Sequence, residues 1–325
     1  MVISAFDERV VLTGCASNNR FVRLPENVIN HVERLSGLAD NTSGIRVRFI
    51  TDSKTLRIKA ANGQLSQYTH MPISGRSGFD VYVNNWFLNN MRPEFDNTEM
   101  DQTIEISDGS RLNLIDIYFP LYNSVTSFYF ELSKGALIKR AEEPKKPVVF
   151  YGSSITQGGC ASRPGNSYAN ILSTMLGRNI TNLGFSGNAR GDIPVAEYIA
   201  TLDPAALVYD YDHNAPDTEF LASTHEPFFK AIREKKPGLP VIMLSRPGYE
   251  KWIDIAAANT AVVMTTYMNA LKSGDKNVYF IDGRTLFGTY GRDRCTVDGT
   301  HPNDIGFERM AETVYPVLKK ILEES

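Results

Sequence analysis

Cysteine is scarce in this chain: Cys15, Cys160 and Cys295 are the only three among 325 residues. Their odd number and wide spacing exclude a disulfide framework and suit a reducing compartment. Long apolar runs are missing as well, and without eighteen consecutive apolar residues no transmembrane helix is expected. The opening MVISAFDERVVLTG places Asp7, Glu8 and Arg9 where an export signal would need an unbroken apolar stretch, so the expected location is the cytoplasm. Neither sign of charge dominates: 34 Lys and Arg face 37 Asp and Glu, a net charge of −3, which gives nucleic acid and anionic lipid no general attraction. The five histidines (His31, His70, His213, His225 and His301) show no paired metal-ligand spacing, and neither a metal nor an organic cofactor is expected. A hydrophobic share of 42% argues against disorder, and the partner that fits this balance is a small, weakly charged molecule.

What is present falls into two halves, as a chain too long for one hydrophobic core suggests. From Ile45 to about Phe130, short β-rich runs such as IRVRFITDS, TLRIKAAN, FDVYVNN and SFYFELS alternate apolar and polar residues with the period of two of half-buried strands. Asn62-Gly63, Ser77-Gly78 and Asp108-Gly109 supply turns between runs. Residues 1–140 are therefore read as a β-sandwich, jelly-roll-like. Residues 141–147 are read as a linker, because the polar stretch around them carries Pro144 and Pro147. From 148 to 325, compact apolar runs (PVVFYG, ALVYDYD, LPVIML, VYFID) are separated by helical patterns. This is the grammar of an α/β domain with a parallel sheet covered on both faces. Sites in such sheets lie at the carboxyl ends of the strands. In the final segment Met310, Val314, Leu318 and Ile321 mark one helix face, with a kink expected at Pro316.

Four segments of the second half carry residues suited to chemistry. In VVFYGSSITQGG a strand runs into Gly152, Ser153 and Ser154 and then into a helix, a turn that exposes a serine near backbone amides. By itself Gly-Ser-Ser reads equally as a solvated turn or helix cap. In NLGFSGNARGD, Gly184 and Gly187 flank a serine after a strand and permit close backbone approach or positive φ. LVYDYDHNAP delivers Asp212, His213 and Asn214 to the strand end, where an asparagine amide can meet an oxyanion or simply close an Asx-turn. Asp298-Gly299-Thr300-His301-Pro302 puts a carboxylate three residues before an imidazole. That spacing allows the first to orient the second, or allows Asp298 to be a turn residue and His301 a surface histidine.

Taken in order, these segments resemble the conserved blocks of SGNH (GDSL-type) hydrolases. The resemblance implies a flavodoxin-like parallel sheet with Ser154 as nucleophile and Asp298 and His301 completing a triad. It also implies an oxyanion hole from the Ser154 amide, Gly187 and Asn214. The usual Gly-Asp-Ser is here Gly152-Ser153-Ser154, so Ser153 competes for the role; Ser154 keeps the family's two-residue step from glycine. Gly184 competes with Gly187, and alanine follows Asn214 where many members have aspartate. In the first half, Phe21-Val22-Arg23-Leu24-Pro25, Thr51-Asp52-Ser53 and Gly78-Phe79-Asp80-Val81-Tyr82 resemble the sandwich domain preceding one SGNH subgroup, known by a Gly-x-Asp-Leu-Tyr motif in which valine here replaces leucine. Phe79, Tyr82 and Trp86 are read as core or interface residues, because period-two aromatics usually pack a sheet.

The expected activity is that of a serine esterase working through an acyl-enzyme, removing a short acyl group such as acetyl from a carbohydrate or other small-molecule ester. Acyl transfer by the same triad is the alternative, and a non-catalytic carbohydrate-binding protein a remote one. Arg163, just beyond the nucleophile block, is expected at the pocket mouth, either meeting an anionic or polyhydroxylated group or standing solvated.

Overall fold

The computed structural model describes residues 2–324 apart from 64, 66, 96, 143 and 144. Its first half contains ten strands: β1 (Val2–Ser4), β2 (Val11–Thr13), β3 (Arg46–Thr51), β4 (Thr55–Asn62), β5 (Phe79–Val83), β6 (Trp86–Met91), β7 (Glu99–Glu105), β8 (Asn113–Tyr118), β9 (Val125–Leu132) and β10 (Ile138–Arg140). They form two antiparallel sheets, one ordered β1-β9-β4-β7 and the other β10-β3-β8-β5-β6, with β2 added beside β3. Period two explains the packing. In β4, Leu56, Ile58 and Ala60 turn into the space between the sheets, while Arg57 and Lys59 face out and pair with Asp101 and Glu131 on the neighbouring strands. Between the sheets Phe49 stacks on Phe130 with ring centroids 4.5 Å apart.

The β5–β6 hairpin turns on Asn84 and Asn85, both in the left-handed region (φ 52° and 68°), which asparagine tolerates better than most residues. Phe79 and Tyr82 are buried as expected, whereas Trp86 is 79% exposed. The reason is register: β6 is an edge strand, and the pairing shifts between Val81 and Tyr82, so the alternation of β5 does not carry through the turn. A second difference concerns residues 24–39, which form short helical turns instead of sandwich strands. Their Leu24, Val28, Leu35 and Ala39 lie in one hydrophobic cluster with Val149, Tyr151 and Leu183 of the second half. In the linker stretch Ala141 is buried, and Glu143 and Pro144 lie outside the described residues.

The second half is a five-stranded parallel sheet of β11 (Val148–Gly152), β12 (Ile180–Gly184), β13 (Ala206–Asp210), β14 (Val241–Leu244) and β15 (Val278–Ile281), ordered β12-β11-β13-β14-β15. Strands β11, β13 and β14 are buried along their whole length, as continuous apolar runs require. Alternate residues still feed different layers. Val149 and Tyr151 join the helices Ile193–Thr201, Thr218–Lys235 and Ile253–Lys272, and Val148 and Phe150 join Tyr168–Leu176 and Asp304–Glu324. The last helix continues through Pro316 and buries Met310, Val314, Leu318 and Ile321. Because the chain leaves β11 toward β12 on one side and later returns to β13 on the other, the topological switch point at which such sheets place their sites lies at the carboxyl ends of β11 and β13. Among the described residues no helix is long and apolar enough to cross a membrane.

Candidate active site

The chain leaves β11 at Gly152 and begins the short helix Ser154–Gln157 at once. Ser153 caps that helix: its Oγ accepts from the Ile155 amide (3.1 Å), its own N–H donates to Asp210 O (3.3 Å), and its side chain is fully buried. Ser154, one residue on, is 7% exposed and faces the C-terminal loop. Of the two serines it is Ser154 whose Oγ lies within hydrogen-bonding distance of His301, 2.9 Å from Nε2.

The loop carrying His301 is tight, with Val297 N–H donating to His301 O (3.0 Å) and Gly299 at φ 81°. Asp298 organises it. One carboxylate oxygen accepts from the amides of Thr300 (2.9 Å) and His301 (2.8 Å), and the other lies 2.7 Å from His301 Nδ1. Burial by itself would raise this carboxyl, but the hydrogen bonds from the His301 ring and the two amides, with the imidazolium charge, hold it at about 2. An ionised Asp298 at Nδ1 leaves Nε2 as the pole directed at Ser154.

The glycine segment lies beside this pair. Gly184 is required by proximity, since a Cβ there would stand 2.2 Å from the Gln157 amide nitrogen. Gly187 instead adopts φ 70°, with open space around it. Asn214 ends the short helical turn after β13 and points its amide at the same loop. With its nitrogen toward Phe185 O (3.2 Å) and its oxygen toward Gly187 N (3.3 Å), both ends are satisfied. Nearby, burial followed by the charges of Arg246 and His301 pushes the His213 ring well below its usual pKa, which keeps it neutral.

Beneath the serine turn, the buried Asp210 accepts from Thr156 Oγ1 (2.5 Å) and Tyr168 OH (3.0 Å). Burial pushes its carboxyl up to about 7, and these two hydrogen bonds only partly offset the shift.

Several neighbours of the site come from the first half and have no signal in local spacing. Tyr122 donates its hydroxyl to Ser154 O (3.0 Å). Arg23 is buried and donates to the carbonyls of Leu38, Asn41, Asn182 and Gly184, tying the segment between β2 and β3 to the end of β12. The His70 ring lies against that of His301, centroids 5.6 Å apart, and His70, Cys160 and His301 form a ligand-like group that their separation in sequence conceals. Burial, reinforced by the charge of Asp298, pushes the Cys160 thiol up to about 12.

Arg163 is placed otherwise than expected. Its guanidinium donates to Asp80 (2.8 Å) and Tyr82 OH (2.7 Å) and lies 3.9 Å from the Phe87 ring centroid. Asp80 is fully buried, so the charge of Arg163 is neutralised across the junction of the two halves and is not offered to a ligand.

A hydroxyl, an imidazole and a carboxylate in series, at the strand ends of a doubly wound parallel sheet, make up the site architecture of serine hydrolases. Residues 145–319 match the GDSL-like lipase/acylhydrolase family, and the chain belongs to that family. Residues 5–138 match the GxDLY domain, the N-terminus of SGNH-hydrolase-type esterases. Among solved structures, the chain is similar to a protein of Bacteroides ovatus assigned as a GDSL-like lipase, with 28% identity, a TM-score of 0.87 and coverage of 99% of this chain and 98% of that one. A salicylyl-acyltransferase from a tetracycline biosynthetic pathway shares the fold at 20% identity, with a TM-score of 0.84 over 99% and 97% of the two chains. A family two carbohydrate esterase from Clostridium thermocellum, solved with cellohexaose, does so at 15% identity, with a TM-score of 0.66 over 86% and 93%. No curated protein matches the chain.

Proposed function

We propose that the protein is a serine esterase that removes a short acyl group, acetyl foremost, from a carbohydrate or similar small-molecule ester by way of an acyl-enzyme. The observation that carries this reading is the unbroken series from Ser154 Oγ to His301 Nε2 (2.9 Å) and from His301 Nδ1 to Asp298 (2.7 Å). In the first half-reaction His301 takes the Ser154 proton as Oγ bonds to the ester carbonyl. The amide of Ser154 and the remaining side-chain N–H of Asn214 receive the charge that develops on the carbonyl oxygen, joined by the Gly187 amide as it turns from Asn214 Oδ1 to the substrate. Collapse expels the alcohol, which leaves with the proton held by His301. Water, deprotonated by the same ring, then releases the acid and restores Ser154. Asp298 stays ionised throughout and fixes the ring's orientation.

Two observations support a small acyl group on a polar alcohol. Ser154 is only 7% exposed, which leaves little room around its hydroxyl for a bulky acyl chain. The carbohydrate esterase among the structural relatives shares both the α/β layer and a β-rich companion over 86% of this chain. The decisive experiment pairs fluorophosphonate labelling with p-nitrophenyl esters of graded chain length, followed by acetylated sugars. The wild type is expected to be labelled and to prefer acetate, and Ser154→Ala to lose both labelling and turnover while folding normally. Labelling at another residue, or unchanged turnover in Ser154→Ala, would remove the assignment. Adding sugar or natural-product alcohols in the same assay separates hydrolysis from acyl transfer, since transfer would appear as a new ester in place of free acid.

A further inference from the structure

Cys160 is one of five described non-glycine residues with positive φ and, at 78°, has the largest value of the five; it follows two glycines and precedes alanine in the segment Gly158–Ala161. A non-glycine residue in the left-handed region is held there by its surroundings, and such strain gathers at functional sites. The segment lies close to the imidazole of His301: a Cβ on Gly159 would stand 3.4 Å from His301 Cδ2. From the opposite half of the molecule, the exposed His70 brings its ring against the same imidazole. One ligand atom from each of His70, Cys160 and His301 lies within 4.8 Å of the other two.

From these residues we infer a binding site for a thiophilic divalent cation of the Zn2+ class, formed by His70, Cys160 and His301 across the two halves of the chain. Two imidazoles and a thiolate are a donor set that zinc favours over harder cations. Around a tetrahedral zinc the donor atoms stand about 3.3–3.6 Å apart, given Zn–N of about 2.0–2.1 Å and Zn–S of about 2.3 Å. Reaching that spacing from separations of up to 4.8 Å requires side-chain movement, for which the exposed His70 has the most freedom. Asp298 already accepts the Nδ1 hydrogen of His301, the carboxylate–histidine contact that orients a metal-ligating imidazole and leaves Nε2 to the metal. Binding releases the Cys160 proton to solvent, so the thiolate and the Asp298 carboxylate together balance the dication.

The same Nε2 faces Ser154 at 2.9 Å, so an ion on it removes the base from the serine. On the esterase reading above, the site is therefore a reversible off-switch that a chelator resets, and this consequence, unlike the binding itself, rests on that reading.

The experiment uses the full chain and Co2+ as the spectroscopic probe, with Zn2+ as competitor and inhibitor. Wild type with Co2+ is expected to show a thiolate-to-cobalt charge-transfer band and tetrahedral visible bands, both displaced by Zn2+. Cys160→Ser loses the charge-transfer band, and the exposed-loop variant His70→Asn binds at least about 10-fold more weakly. Zinc inhibits p-nitrophenyl acetate hydrolysis by the wild type and EDTA restores it, whereas both variants hydrolyse without zinc and require at least about 10-fold more of it for inhibition. A wild-type cobalt spectrum without the thiolate band, or equal zinc sensitivity in wild type and both variants, would overturn the site. A normal cobalt spectrum in a protein that hydrolyses nothing would leave the site standing and sink the esterase reading instead.

Discussion

Asp298 holds its own turn and orients His301 at the same time, because a carboxylate has enough lone pairs to accept from two amides and one ring nitrogen. The two uses that its sequence spacing leaves open are thus compatible. The Ser153 and Ser154 pair divides differently: one hydroxyl is consumed as a helix cap and the other faces the imidazole. Asn214 presents the sharpest test at this scale. If its amide receives the developing oxyanion, Asn214→Ala lowers kcat by about 10²–10³ with the melting temperature nearly unchanged. Steady-state kinetics beside thermal unfolding checks this, and wild-type turnover would return Asn214 to the role of a loop fastener.

At the scale of elements, the serine turn rests on the end of β13 through Asp210. Burial raises its folded-state pKa to about 7, above its value in the unfolded chain, so its contribution to stability is full below about 4 and is lost as pH rises toward 7. The slope this imposes is at most about 1.4 kcal/mol per pH unit. Asp210→Asn keeps a neutral group of the same shape beside Thr156 and Tyr168. It is expected to gain stability relative to wild type between about pH 4 and 7 and to run parallel to it above. Urea unfolding of both proteins at several pH values measures this, and parallel curves throughout would mean that Asp210 stays charged in the fold.

For the whole molecule, the junction between the halves is a set of buried polar contacts as much as an apolar surface. Arg23 reaches the carbonyls of β12, Ser43 donates to Gln157 O (2.6 Å), and Arg163 meets the buried Asp80. We propose that residues 1–140 and 148–325 unfold together as one cooperative unit, although their patterns read as separate domains. Arg163→Ala, which strands the Asp80 carboxylate, should then lower stability by about 3 kcal/mol while leaving KM for a neutral ester unchanged. The opposite pair of results, an unshifted melting point with a raised KM, would make Arg163 a substrate cation after all.

The central strands of both halves, most of the long helices of the second and the order of the Ser, Gly, Asn and Asp-His segments were legible in the sequence, whereas the short or edge strands β1, β2, β6 and β10 and the helix Ile193–Thr201 were not. Each legible feature rests on period-two or helical alternation, on a compact apolar run, or on residues within a few positions of one another, and such signals survive without knowledge of the fold. Trp86 escaped because a register shift and an edge position cancelled its alternation, and residues 24–39 because short helical turns carry too few periods to announce which core they join. Only tertiary structure could decide that Ser154 lies against a ring 147 positions away, that Arg163 is neutralised by Asp80, or that His70 and Cys160 flank that same ring. Chain spacing says nothing about such meetings, because they are set by how two sheets and their loops pack, and packing depends on the whole chain at once.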